Sequence, residues 1–339
     1  MSYNFKNLIF EGGGVKGIAY VGAIDVLSDK GIIEQITRIG GTSAGAINAI
    51  LIGLGYTFEE TKDILWNLDF HKFMDDSWGI IRDTDRLITS FGWYKGDFFR
   101  NWIGKLIKEK TGNSESTFAD IEAMKGKNKY KSLYFMGTNL STHFSEVFSH
   151  EHTPRMCIAD AVRISMSIPL FFAAKRSMRG DVYVDGGVLD NYPIKLFDRR
   201  KYIATKNLAV TEYYEKINKS IKKSPREISD YVYNKETLGF RLDNKEEISA
   251  FRDHAELPDH KIDNFFEYTW SLIDTILEAQ SSTHLHSDDW VRTIYIDTLG
   301  VRTTEFGLSN DKKEALLESG KTSTQKYFEW FDKENPVNK

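Results

Sequence analysis

Short apolar runs alternate with segments of helical period through the first 55 residues. Lys6–Phe10 (KNLIF) reads as a buried strand, and Ile18–Lys30 carries apolar residues at helical spacing. QITRIGG predicts a second strand ending at Gly41, and TSAGAINAILIGLG a helix beginning near Ser43 and stopped by Gly53 and Gly55. Strand, helix, strand and helix in so short a span predict a right-handed βαβ unit in a parallel sheet.

Residues 56–130 read as mostly helical, around the aromatic stretch FGWYKGDFFRNWIGKLI (91–107). KSLYFMGTNL (131–140) and HFSEVFS (143–149) are predicted strands. MCIADAVRISMSI is a predicted helix stopped by Pro169, and DVYVDGGVLDNYPI (181–194) a strand running into a glycine turn. YIATKNLAV (202–210) and VRTIYIDTLG read as further strands and the last 30 residues as a helix. The polar, charged stretch 211–290 holds one helix-period segment, IDNFFEYTWSLIDTILEAQ, and is expected to be a mainly helical elaboration. With no repeat or linker and only six prolines, the chain is expected to be one domain, 1–339, with its core in 5–210 and a returning strand and helix in 291–333.

Composition narrows the function. At 339 residues, 41% hydrophobic and 13% aromatic, the chain can bury a large core. A net charge of −4 argues against a nucleic-acid-binding face, and INKSIKKSPR near residue 220 reads as a solvated loop. The lone Cys157 excludes a disulfide framework and a cysteine-ligated zinc. MSYNFKNLIF lacks the basic-then-apolar order of a signal peptide, and the longest apolar run, IPLFFAA (168–174), is too short to span a bilayer. The expectation is a cytoplasmic protein that meets membranes peripherally. The pairs HEH (150–152) and HLH (284–286) have no third ligand at characteristic spacing, so no metal is expected. The aromatics Phe91–Trp102 and Phe265–Leu277 read as core or packed-helix positions, with a lid, acyl channel or membrane contact as the alternative.

Two glycine turns carry the chemistry. Gly12, Gly14 and Gly17 fit the G-x-G-x-x-G of a dinucleotide turn, but the next strand ends in Gly40 and Gly41 rather than in an acidic ribose partner, and Glu34 precedes that strand. Ile18 stands where a phosphate loop needs lysine followed by serine or threonine. The second strand instead runs into GTSAG (41–45), a G-x-S-x-G turn that lifts a serine above the sheet at a helix N-terminus. Amides of the first turn are then placed to bind a transient oxyanion. Asp185 ends a strand and opens a two-glycine turn, which makes it the candidate base, whereas none of the eight histidines follows a strand as a triad histidine would. Asp190 and Asn191 read as turn and capping groups.

GGGVKG (12–17), GTSAG (41–45) and DGG (185–187), in this order, resemble the patatin-like phospholipase family, with looser agreement in AVRISMSIPLFF, DNYPI and TLGVRTTEFGLS. The resemblance implies an α/β fold, a three-layer α/β/α sandwich around a mostly parallel sheet, and a Ser–Asp dyad. Carried over, Ser43 is the nucleophile and Asp185 the base. Gly12, Gly13, Gly14 and Ala44 form the oxyanion hole, supported by Lys16, Gly17, Gly41, Gly45, Gly186 and Gly187. The implied activity is hydrolysis of membrane phospholipids without cofactor or metal. A soluble-ester hydrolase or thioesterase, or a ligand- or partner-binding module with a silent site, are the alternatives. The reading leaves room for a homo-oligomer and for an activating partner or small-molecule ligand, and for no nucleic acid polymer.

Overall fold

The fold is taken from a computed structural model, described here for residues 3–73, 87, 89–204, 208–209, 211–220, 230–243, 262–263, 267–269, 271–273, 275–276 and 287–334. In chain order the strands are β1 (Asn7–Phe10), β2 (Arg38–Gly41), β3 (Gly92–Tyr94), β4 (Ser132–Asn139) and β5 (Phe144–Ser149). They continue with β6 (Leu170–Phe172), β7 (Lys175–Arg176), β8 (Val182–Asp185), β9 (Thr237–Asp243) and β10 (Thr293–Asp297). The main sheet runs β10-β9-β1-β2-β4-β8-β7, with β5 also on β4, while β3 and β6 pair apart. β10, β9, β1, β2 and β4 are parallel, and β5, β7 and β8 join antiparallel.

Register on β4 decides where the site forms. Gly137 to Asn139 pair with both β5 and β8, and Tyr134 and Phe135 pair with both β5 and β2. A strand has only two edges, so β2 and β8 share one of them. β2 runs up that edge to Gly41, opposite Phe135. β8 runs down it to Asp185, opposite Gly137. Two strand ends therefore meet head-on across the single residue Met136, and the turns that follow them leave the sheet at one place.

Burial follows the pleat. Leu8 and Phe10 join the large core on one face, while Ile9 faces the other with Tyr134. On the first face lie helices α1 (Ala19–Asp29), α2 (Ala44–Gly53), α3 (Phe58–Trp66), α4 (Asp97–Thr111), α5 (Phe118–Met124) and α6 (Ile158–Ser165). The C-terminal helix Asn310–Glu334 packs on α1 and β10. The second face is covered by Tyr192, Ile194, Phe197 and Tyr202, backed by the helix Glu212–Ser220, whose Tyr214 hydroxyl donates to Asp198. Each large apolar side chain sealed between these layers contributes about 1.5–3 kcal/mol.

Three expectations need correction. Stretch 211–290 is not only a helical elaboration, for it supplies β9, fully buried between β1 and β10. TLGFRLD reads as polar because Arg241 and Asp243 neutralise each other in place, Nε to Oδ1 at 3.0 Å. The 202–210 strand is absent from the described residues of that stretch, where a 3-10 turn ends at Tyr202 and Ala209 makes only an isolated bridge to Tyr233. Finally, 56–130 is broken by β3, within the aromatic stretch.

Candidate active site

Ser43 follows β2 and caps α2 with φ 52° and ψ −124°. For a non-glycine residue that backbone costs on the order of 1–3 kcal/mol and is kept where the surroundings over-determine it. They do so here. The Ser43 N–H donates to Ser165 Oγ at 3.0 Å. Gly45 passes so close to β1 that a Cβ there would sit 2.3 Å from the Phe10 carbonyl oxygen, and one on Gly41 would meet the Gly45 carbonyl carbon at 2.5 Å. The side chain gains no capping bond; its hydroxyl donates instead to Met166 Sδ at 3.4 Å. A thioether is a weak acceptor.

Asp185 ends β8 and is 3% exposed. Its N–H donates to the Ser167 carbonyl at 2.8 Å, and Oδ1 accepts from Gly187 N at 2.7 Å. Oδ2 is buried without a hydrogen-bond partner. Burial pushes the carboxyl up to about 7, only partly offset by the Gly187 amide and then by the nearby Ser43 hydroxyl. That hydroxyl is close enough to act on the carboxyl, yet it forms no bond of normal geometry with Oδ2 in this arrangement. Gly186 follows tightly against β4, where a Cβ would lie 2.6 Å from the Met136 carbonyl carbon.

The glycine loop after β1 closes the third side. A Cβ on Gly12 would lie 3.0 Å from Ser43 Cβ, so the loop and the serine turn touch. Gly14 has φ +56° and packs on Thr303, whose carbonyl oxygen would stand 2.1 Å from an added Cβ. Gly17 lets the following 3-10 turn approach Ala44. Lys16 lies half-buried on that turn and bonds neither Ser43 nor Asp185. Among the described residues the N–H groups of Gly13, Gly14 and Ala44 donate to nothing. Gly12 departs from the expectation: its N–H is taken by the Asn191 carbonyl at 3.1 Å, so its part is to anchor the loop.

Sequence reasoning missed how that anchor works. Asn191 accepts the Gly12 N–H and returns Nδ2 to Gly12 O at 3.2 Å and to Glu11 Oε1 at 3.4 Å, while Thr42 Oγ1 donates to the Asp190 carbonyl. The DNYP turn thus ties the glycine loop to the serine turn. Ser165 and Ser167, which hold Ser43 and Asp185 respectively, were also missed. No spacing rule distinguishes them within AVRISMSI.

Other candidates fall elsewhere. His150 lies 3.7 Å from Glu122 and His152 bonds Ser149, whereas His284 and His286 are outside the described residues. Among the described residues no cluster of three metal-ligating side chains forms. Phe99 is sealed in the core, but Phe91 and Phe98 are exposed. In Phe265–Leu277 the residues Phe265, Phe266, Trp270 and Leu277 lie outside the described set, Ile273 is buried and Tyr268 is exposed. Among the described residues no helix is long and apolar enough to cross a membrane.

Comparison with known proteins identifies the family and the fold. Protein YqhO of Bacillus subtilis, of uncharacterised function, is 30% identical over 94% of this chain and 96% of its own length. A probable lipid hydrolase of Invertebrate iridescent virus 6, 463L, is 27% identical over 57% of this chain and 63% of its own. The fold of VipD from Legionella pneumophila superposes with a TM-score of 0.61 at 20% identity, over 96% of this chain and 67% of VipD. The patatin-like phospholipase model matches residues 8–198, which span all three glycine turns, and the chain belongs to that family of lipid ester hydrolases.

Proposed function

We propose that this chain hydrolyses fatty-acyl esters of membrane glycerophospholipids through a Ser43–Asp185 dyad. The observation that carries the reading is a buried carboxylate oxygen with no partner, beside a serine held at positive φ. Ser43 Oγ gives up its weak contact with Met166, attacks the ester carbonyl and passes its proton to Asp185 Oδ2. Negative charge on the former carbonyl oxygen is taken by the N–H groups of Gly13 and Gly14, with Ala44 at the N-terminus of α2 adding a third donor and the helix dipole. Collapse expels the lysophospholipid oxygen, which recovers the proton from Asp185. Water then loses a proton to the same carboxylate and attacks the acyl-enzyme; the bond from the acyl carbon to Ser43 Oγ breaks, Asp185 returns the proton to Oγ, and a fatty acid leaves.

A base pushed up to about 7 is matched to this work, since a large share of it is ionised at neutral pH and ready to accept a proton, yet it holds that proton well enough to return it. No step calls on a metal or cofactor. The test is fatty-acid release from mixed phospholipid vesicles, run beside release from a short soluble ester. Ser43→Ala and Asp185→Asn are expected to lower both by 10³-fold or more, an order typical of nucleophile and base removal. Activity surviving in Ser43→Ala defeats the mechanism. Ester cleavage without vesicle cleavage makes the chain a soluble-ester hydrolase instead.

A further inference from the structure

Phe144 is 71% exposed and Met178 fully so, and both stand at hairpin tips beside the candidate site. Phe144 follows the turn between β4 and β5, and Leu140, 42% exposed, precedes it. Met178 lies in the turn between β7 and β8. The two turns are tied together, Leu140 N to Val182 O at 2.8 Å and Val182 N to Ser141 Oγ at 3.0 Å. Phe91, also exposed, lies next to the base of the β7–β8 turn, with the Arg176 guanidinium 5.5 Å from its ring centre. Exposed apolar side chains scattered singly need no explanation; several gathered on adjoining tips do.

Position and charge indicate what they meet. Asn139, the last residue of β4, is two residues past Gly137, the partner of Asp185. At about 3.4 Å per residue the tips therefore reach roughly 10 Å beyond the carboxylate, past the end of the sheet where the serine turn opens. Arg176 and Arg179 are exposed there and form no ion pair with a carboxylate among the described residues. Behind them a cavity of about 210 Å³ is lined by Lys95, Lys175 and Asp97 among others. Asp181, the acid within the β7–β8 turn, is engaged by Ser177 Oγ at 3.3 Å. A basic, apolar rim on a chain of net charge −4 fits a surface that is both negative and oily.

We propose that the paired β4–β5 and β7–β8 tips dock the protein on anionic phospholipid bilayers, Phe144, Met178 and Leu140 entering the acyl boundary while Arg176 and Arg179 meet headgroup phosphates. This rests on the phospholipid reading above and adds to it the surface that delivers substrate to Ser43.

The test separates docking from chemistry. The full chain carrying Ser43→Ala, which leaves vesicles intact, is floated with vesicles of phosphatidylcholine alone or mixed with phosphatidylglycerol. Binding is expected on the anionic vesicles, at least fivefold weaker on the neutral ones. Adding Phe144→Asp and Met178→Asp is expected to lower it tenfold or more, and Arg176→Ala with Arg179→Ala about tenfold on anionic vesicles alone. In a chain with Ser43 intact, the Phe144→Asp/Met178→Asp pair is expected to leave soluble-ester hydrolysis and the melting temperature unchanged. Undiminished binding by that pair overturns the proposal, as does failure of the unaltered tips to bind either vesicle. A vesicle-free shift from oligomer to monomer in the same pair, without lipid binding, makes the patch a contact between copies and also overturns it. Loss of the Ser43 dependence of ester cleavage would strike the dyad and leave the flotation result standing.

Discussion

Asp185 and Asp198 are both buried aspartates in one stretch of chain, and their surroundings are opposite. Asp198, 0% exposed, takes both arms of Arg292 at 2.6 Å, the Asn234 N–H at 3.2 Å and the Tyr214 hydroxyl. Arg292, itself buried, also bonds Asp289, and its guanidinium lies over Tyr233. This knot sits where β9 and β10 begin, at the end of the sheet away from Ser43. Asp185 receives one amide and leaves an oxygen empty. A buried charge with every lone pair met is fixed in place and inert; one left short is held in reserve for a reaction. Of these two carboxylates, the incomplete one is the candidate for chemistry.

The sharpest way to break this contrast is to strip the knot. Arg292→Met leaves Asp198 buried without its cation, and Asp289 with Lys195 at 3.7 Å as its remaining ion-pair partner, and is expected to cost about 3–5 kcal/mol in denaturant unfolding. A loss below about 1 kcal/mol would mean that the knot is solvated and the contrast false.

The two aspartates are next expected to answer amidation with opposite signs. Folded Asp185 titrates near 7 against an ordinary value of 3.8, so between these the folded state holds the extra proton. Its ionisation therefore costs stability that is lost as pH rises and stays lost above about 7. Asp185→Asn is expected to stabilise the protein by on the order of 4 kcal/mol at pH 8 and by little near pH 4. Asp198→Asn is expected to destabilise it at both. Melting curves across pH read the sign directly, and hydrolysis by the unaltered chain should climb through about pH 7.

Smaller effects probe the scaffold around the dyad. Asn191→Ala removes the Nδ2 bonds to Gly12 O and Glu11 Oε1, leaving the glycine loop on the main-chain bond from Gly12 N–H alone, and is expected to lower hydrolysis about 10–100-fold with only a modest fall in melting temperature, as for loosely oriented oxyanion donors. An unchanged rate would show that the loop holds itself. Ser165→Ala leaves the Ser43 N–H without its acceptor and is expected to cost about 1 kcal/mol, with a several-fold slower turnover. Wild-type behaviour in both would remove Ser165 from the support of the serine turn.

What could be read from the sequence was what is local. The strand, the crowded G-x-S-x-G turn and the helix lie within a dozen or so residues, so their spacing carries their geometry. The DGG turn announced itself in the same way. Long-range features were hidden. Nothing near Arg241 and Asp243 says that TLGFRLD is a central strand, because the two charges cancel only once the strand is formed. Nor does any pattern show that β8 runs antiparallel into the end of β2, although the meeting of Ser43 and Asp185 depends on it. Asn191 could have been suspected from DNYP following a glycine turn; Ser165 and Ser167 sit in a helix end where serine is unremarkable. Gly12 was credited with a donor that the Asn191 carbonyl already holds.

The head-on meeting of β2 and β8 along β4 has a consequence for how such a chain can change over time. Lengthening or shortening the hairpin before β8 leaves the pairing of Gly137 with Asp185 untouched, and so leaves chemistry alone. Inserting or deleting one residue inside β8 turns the carboxylate to the opposite side of the sheet, and a two-residue slip carries it about 7 Å along the strand. On the proposed dyad either lesion is expected to abolish hydrolysis, and the one-residue slip also turns the buried Tyr183 and Val184 to the wrong faces, at a cost to the packing of this one edge of the sheet. Descendants that keep the architecture while abandoning hydrolysis therefore have a short route open to them, and it runs through four residues, Val182 to Asp185.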